Sequence, residues 1–390
     1  MMLPSTEISI LLACIRFYLG TITVDELKVV LTETLDWKTL IQTSIDQGVM
    51  PILYESLKAI EEQHIPPTVI VQLQTLNRMN GLNNISSLQE LLKILAALKQ
   101  DNIDAIPFKG PILASYAYGN VALRQYNDLD ILVKPQDFWR AKAVLMTLGY
   151  RTNLAQQEEF DMITFVRQIT LSRSSKDAEM FNRQFQSSLL HSNLERSIDL
   201  HWGIIPRRIL DVNRLERFWQ HLTVIELNNQ PIQTFSPEIT LIIQCLNIAK
   251  ESLTGRSLKQ ICDIVQIIKA YPAIDWHLFL QITSELRTFK LCLLWLGVIH
   301  ELVALPLPDI VMYHIGKKTK IEKYIFNSKP GISKNSFHDI WMRYINQIEA
   351  LDRWIDGIYI TAYLIKCVTL KLLPTRISET ISMESIHGSL

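Results

Sequence analysis

The apolar residues change period twice along this 390-residue chain. Up to about residue 100 they recur at spacings of three and four, as in Leu88, Leu91, Leu92, Ile94 and Leu95, which is the pattern of helices with one buried face. From there to residue 235, short alternating and β-branched runs take over. At Ser236-Pro237-Glu238 the helical spacing returns, with Ser236 a suitable N-cap and Pro237 fitting the first helical position. Such a chain is expected to be α+β, a small mixed sheet flanked by helices. The expected division is a helical N-terminal region over 1–100, a sheet-bearing core over 101–235 and a helical C-terminal region over 236–390. At 48% hydrophobic residues, the chain can build a sizeable core.

Within the middle region, residues 103–108 form a short apolar run ending in Lys109-Gly110-Pro111. Asn127-Asp128-Leu129-Asp130-Ile131-Leu132-Val133 reads as a strand stopped by Pro135. Gln136 to Leu148 reads as an amphipathic helix closed by Gly149. Residues 162–173 and 184–191 read as strands, and a turn leads into Ser197-Ile198-Asp199-Leu200-His201-Trp202. Leu222–Leu227 and Pro231–Phe235 suggest a hairpin across Asn228-Asn229. Asp36 and Asp275, each followed by Trp, are placed to cap helices.

Charge narrows the function classes. Lys+Arg and Asp+Glu are equal at 39 each, which weighs against a dedicated nucleic-acid binder. The lysines between 317 and 334 form a local basic stretch, read as a solvated loop or as a landing patch for an anionic acceptor. The five cysteines are scattered through apolar stretches, a spacing that suits neither a disulfide framework nor a structural zinc site. The first apolar run reads as a helix rather than a signal peptide. Ile358 to Pro374 is shorter than the ~20 residues a membrane span needs, although it could lie on a membrane surface. A cytoplasmic protein with no stable membrane insertion is expected.

The chemistry concentrates in residues 108–133 and 197–202. Alternate side chains of a strand share a face, so Asp128 and Asp130 point one way while Leu129, Ile131 and Val133 point into a core. Two like charges held together are relieved by a divalent cation, and magnesium prefers oxygen ligands. If the Asp199 strand pairs beside them, Asp199 becomes a third carboxylate, enough to hold two metals and to act as a general base. His201 shares the Asp199 face and is read as a supporting residue. At Lys109-Gly110-Pro111 a glycine turn opens a helix, a natural phosphate site to which Lys109 adds a positive charge. Arg124 can reach a phosphate oxygen or pair with Asp128. Asp-x-Asp alone is common on solvated strands and turns; the combination with the Lys-Gly turn and the Asp-Leu-His-Trp strand carries the reading.

The order of strand, glycine turn, helix, Asp-x-Asp strand and later Asp strand resembles the DNA polymerase β nucleotidyltransferase superfamily. The Lys-Gly turn, Arg124-x-x-x-Asp128-x-Asp130-Ile-Leu-Val and Asp199-Leu-His-Trp resemble more narrowly its uncharacterised bacterial nucleotidyltransferase family. Trp37, Gly48-Val49-x-Pro51, Asp263 and Asp275-Trp276 extend the likeness over most of the chain. The resemblance implies two Mg2+ ions at Asp128, Asp130 and Asp199, a nucleoside triphosphate at Lys109, Gly110 and Arg124, and transfer of a nucleoside monophosphate, with AMP expected, to a hydroxyl. The acceptor is left open between a small molecule, a peptide and an RNA. Where the wider superfamily has Gly-Ser, this chain has Gly110-Pro111, with Ser115 one turn further on. Two alternatives stay open: a noncatalytic nucleotide- or partner-binding scaffold of the same fold, and a toxin-like modifier of transfer RNA or protein.

Overall fold

A computed structural model describes residues 6–31, 35–60, 65–152, 154, 167–173, 196–204, 216–251 and 258–315. The proposed strand at 184–191, the lysine-rich stretch and the segment from Ile358 to Pro374 lie outside these residues.

The described residues up to 100 form five helices: α1 (Thr6–Tyr18), α2 (Val24–Val30), α3 (Trp37–Asp46), α4 (Met50–Lys58) and the long α5 (Pro67–Gln100). Asp36 caps α3 by accepting a hydrogen bond from the Thr39 amide, which satisfies an N–H with no partner inside the helix. Thr23 and Glu26 form a reciprocal capping box on α2.

Then follow β1 (Ala105–Pro107), α6 (Gly110–Tyr118), β2 (Asp128–Val133), α7 (Phe138–Thr147), β3 (Gln168–Arg173) and β4 (Arg196–His201). The expected helix from Gln136 begins instead with a 3-10 turn at Pro135–Asp137, because the proline ring restricts the chain leaving β2. The four strands make one mixed sheet in the order β1-β2-β4-β3. β2 runs antiparallel to β1 and parallel to β4, and β3 is antiparallel to β4. The short helix α8 (Glu216–Gln220) precedes a separate hairpin of β5 (Leu222–Leu227) and β6 (Gln230–Phe235). Asn228 and Asn229 both take positive φ, 52° and 59°, as a two-residue turn with the twist of the strands requires.

Helices return as α9 (Pro237–Glu251), α10 (Leu258–Ala270), α11 (Trp276–Glu285), α12 (Phe289–Val303) and α13 (Asp309–Ile315). The α+β class expected from the sequence is the observed one. No described helix is long and apolar enough to cross a membrane.

Alternation in β2 and β4 divides the apolar residues between two clusters. Leu129, Ile131, Val133, Ile198 and Leu200 join residues of α5 and α7 on one face of the sheet. Ile106, Phe108 and Leu132 belong to a larger cluster that includes residues of α1, α4, α9, α10 and α12. The polar residues of β2 and β4 emerge on this second side, between the sheet and the later helices.

Candidate functional site

The parallel pairing of β2 with β4 sets Asp130 directly opposite Asp199, Asp128 opposite Ser197 and Leu132 opposite His201. Asp199 therefore stands beside the Asp-x-Asp strand, although 62 or more residues separate the two strands in the chain. One ligand atom each from Asp130, Asp199 and His201 lies within 4.8 Å of the others. Two carboxylates and an imidazole at that separation fit a divalent cation. Asp128 is half-buried on the same face and lies outside this group.

Asp130 is 4% exposed and heavily engaged. Its Oδ1 accepts a hydrogen bond from Lys109 Nζ at 3.0 Å and lies 3.1 Å from His201 Nε2. Burial pushes the Asp130 carboxyl upward, but the Lys109 ammonium and His201 more than reverse this and hold it well below the usual carboxylate range. Lys109 responds in the mirror sense: burial disfavours its charge, while Asp130 and Asp128 outweigh burial and raise its pKa.

Asp199 is shifted the other way. Its Oδ1 accepts a 2.6 Å hydrogen bond from Thr170, which faces it from β3, and its Oδ2 accepts a longer one from Gln168 at 3.3 Å. Burial raises the Asp199 carboxyl; His201 opposes this, and the Asp130 and Asp128 charges reinforce it, with a net upward shift. His201 is itself buried, with Phe108 edge-on at 5.1 Å between ring centroids. Its Nδ1 has no hydrogen-bond partner among the described residues.

The turn before α6 brings backbone, not only side chain, to this place. Gly110 has φ of +46°, and a Cβ there would lie 3.1 Å from the backbone oxygen of Asp128. Glycine thus permits both the left-handed conformation and the close approach of β2. Pro111 follows inside the first turn, where its missing N–H is no loss.

Arg124 goes elsewhere than to Asp128. Its Nε and Nη2 donate to Asp263 Oδ1 and Oδ2 at 2.8 and 2.9 Å, a two-pronged ion pair that joins the approach to β2 to α10. Tyr118, at the end of α6, donates its hydroxyl to the same Asp263 Oδ1 at 2.8 Å. Arg124 is 3% exposed and Asp263 is fully buried. Nη1 of Arg124 is buried and has no hydrogen-bond partner among the described residues.

Sequence reasoning passed over Thr170, Gln168 and Tyr118. Thr170 and Gln168 become visible only through strand register, which the sequence does not print. Tyr118 depends on the docking of α10 against α6.

Among solved structures, an antigenic nucleotidyltransferase-like protein from Paracoccidioides brasiliensis aligns at 13% identity, covering 58% of this chain and 96% of that one with a TM-score of 0.34. No curated protein matches. A family model described as "Uncharacterised nucleotidyltransferase" matches residues 33–304, a span that contains the whole mixed sheet and the Arg124–Asp263 pair. The chain belongs to this uncharacterised nucleotidyltransferase family.

Proposed function

We propose that this protein is a nucleotidyltransferase of the DNA polymerase β type that moves a nucleoside monophosphate, AMP in the first instance, from a nucleoside triphosphate to a hydroxyl of an acceptor. The reading rests above all on the in-register placement of Asp130 and Asp199 across parallel strands, beside Lys109 and the Gly110 turn. Asp128, Asp130 and Asp199 would hold two Mg2+ ions, with His201 beside them. When bound, the metal supplies positive charge to the triphosphate and acidifies the acceptor hydroxyl.

The residues of the chain do the rest. Lys109 and the Gly110 turn hold phosphate oxygens, and Nη1 is the atom of Arg124 left for one. Asp199, whose carboxyl is shifted upward, takes the proton of the acceptor hydroxyl. The hydroxyl oxygen forms a bond to the α-phosphorus as the bond from that phosphorus to the bridging oxygen breaks. Pyrophosphate departs with that bonding pair. The acceptor lies between the sheet and the C-terminal helices, since ligand sites favour such clefts.

Calorimetric titration of the four ribonucleoside triphosphates, with and without magnesium, tests this. Wild type should bind one of them in a magnesium-dependent manner, and Asp128→Asn/Asp130→Asn should lose that binding while keeping its circular dichroism spectrum. Binding of no triphosphate by wild type would overturn the donor assignment in favour of a scaffold.

A further inference from the structure

Lys259 is the second residue of α10 and stands one helical turn before Asp263, on the same side of the helix. That side meets α6 and the residues leading into β2, as the bonds from Asp263 to Tyr118 and Arg124 show. Those bonds also engage the Asp263 carboxylate with two donors already, so it is a poor counter-ion for a further cation. Lys259 forms no ion pair among the described residues.

The stem of Lys259 runs over the backbone of Gly48, between α3 and α4. A Cβ at Gly48 would lie 3.0 Å from the lysine Cδ and 3.2 Å from its Cβ. The Lys259 side chain is thus led past the N-terminal helices by a position that has no side chain of its own. It is half-buried. Burial lowers its pKa most; Arg124 and Lys109 lower it further, and the carboxylates of Asp128 and Asp263 only partly compensate. A cation partly withdrawn from water without a paired anion is costly to keep. Lys109 responds to the same Asp128 charge from the β1–α6 turn. Two lysines from distant parts of the chain are therefore both stabilised in their charged form by one carboxylate.

We propose that Lys259 is a polyphosphate-binding residue, its ammonium facing the β- and γ-phosphoryl oxygens of a nucleoside triphosphate held at Lys109 and Gly110. A lysine suits this place because it acts as a compact point charge at the end of a flexible stem. The ligand class is a nucleoside triphosphate or tripolyphosphate rather than a monophosphate, because Lys109 and Gly110 would engage one phosphate and leave the further ones for a cation on α10. The inference rests on the nucleotidyl-transfer reading and adds a third element to its donor site.

The test is a titration of each ribonucleoside triphosphate, the matching monophosphate and inorganic tripolyphosphate, with magnesium, into wild type, Lys259→Met and Lys259→Arg. Methionine keeps much of the stem against Gly48, and thermal melts check that the fold survives. Lys259→Met should weaken triphosphate and tripolyphosphate binding at least tenfold and monophosphate binding less than twofold. Lys259→Arg should recover most of the loss. Triphosphate binding by Lys259→Met as tight as in wild type, with binding still lost in Asp128→Asn/Asp130→Asn, would overturn the role of Lys259 and spare the nucleotidyl-transfer reading. Binding of no triphosphate by wild type would overturn both.

Discussion

Asp130 and Asp199 face each other across adjacent strands, yet their carboxyls are shifted in opposite directions. Lys109 and His201 both approach Asp130, whereas Asp199 has hydroxyl and amide donors and two acidic neighbours. Pairs of groups pushed apart in this way are suited to different roles. The same contrast fixes how stability depends on pH. With a raised folded pKa, Asp199 costs the metal-free fold stability as pH rises through the ordinary carboxylate range and beyond. Asp199→Asn should accordingly melt at a higher temperature than wild type at neutral pH, with the gap closing in acid; a pH series of thermal melts without metal checks this. Asp130 behaves inversely: its contribution is present above the ordinary carboxylate range and is lost as pH falls through and below it. The positions of Asp128, Asp130 and Asp199 on strands were legible because alternation assigns faces without knowledge of partners. That His201 would come within 3.1 Å of Asp130 was not, since it depends on which strand lies next to β2. The partner of Arg124 was hidden for a simpler reason: Asp263 lies 139 residues away, beyond any local pattern.

At the scale of elements, the turn into α6 is the tightest joint of the site. Gly110→Ala would put a β-carbon 3.1 Å from the Asp128 backbone oxygen at a φ that side chains rarely adopt. Such a residue costs on the order of 1–3 kcal/mol. Urea denaturation should show that loss, and triphosphate affinity should fall with it, because β2 and the turn must move apart. Elements with strong local signals were read closely. β2 was expected at residues 127–133 and spans Asp128–Val133; the hairpin of β5 and β6 was placed by its two asparagines. Topology was not readable in the same way. The order β1-β2-β4-β3 places a strand beside β2 that follows it only after α7 and β3, and no periodicity encodes that choice.

For the molecule as a whole, the larger apolar cluster draws residues from Ile10 to Val311, so early helices, sheet and late helices contribute to one core. The Arg124–Asp263 pair lies where these parts meet. Removing one member of a buried ion pair leaves the other charged and unpaired, at a typical cost of about 3–5 kcal/mol, whereas replacing both by apolar residues is often neutral. Asp263→Ala should therefore destabilise the protein by about that amount in chemical denaturation. Arg124→Met/Asp263→Leu should recover most of it while leaving the Tyr118 hydroxyl without its acceptor. The balanced net charge and the scattered cysteines weighed against a nucleic-acid binder and against a disulfide or zinc framework, but they carried nothing about this junction.

That junction also governs portability. A chimera that moved the segment from β1 to β6 into another helical surround would bring an arginine and a tyrosine whose shared acceptor stayed behind. The helical graft, moved alone, would carry a buried carboxylate with nothing to neutralise it. Tyr118, Arg124 and Asp263 form a linkage group for recombination: exchanges between relatives that divide these three residues should yield insoluble hybrids, and exchanges that carry them together should fold.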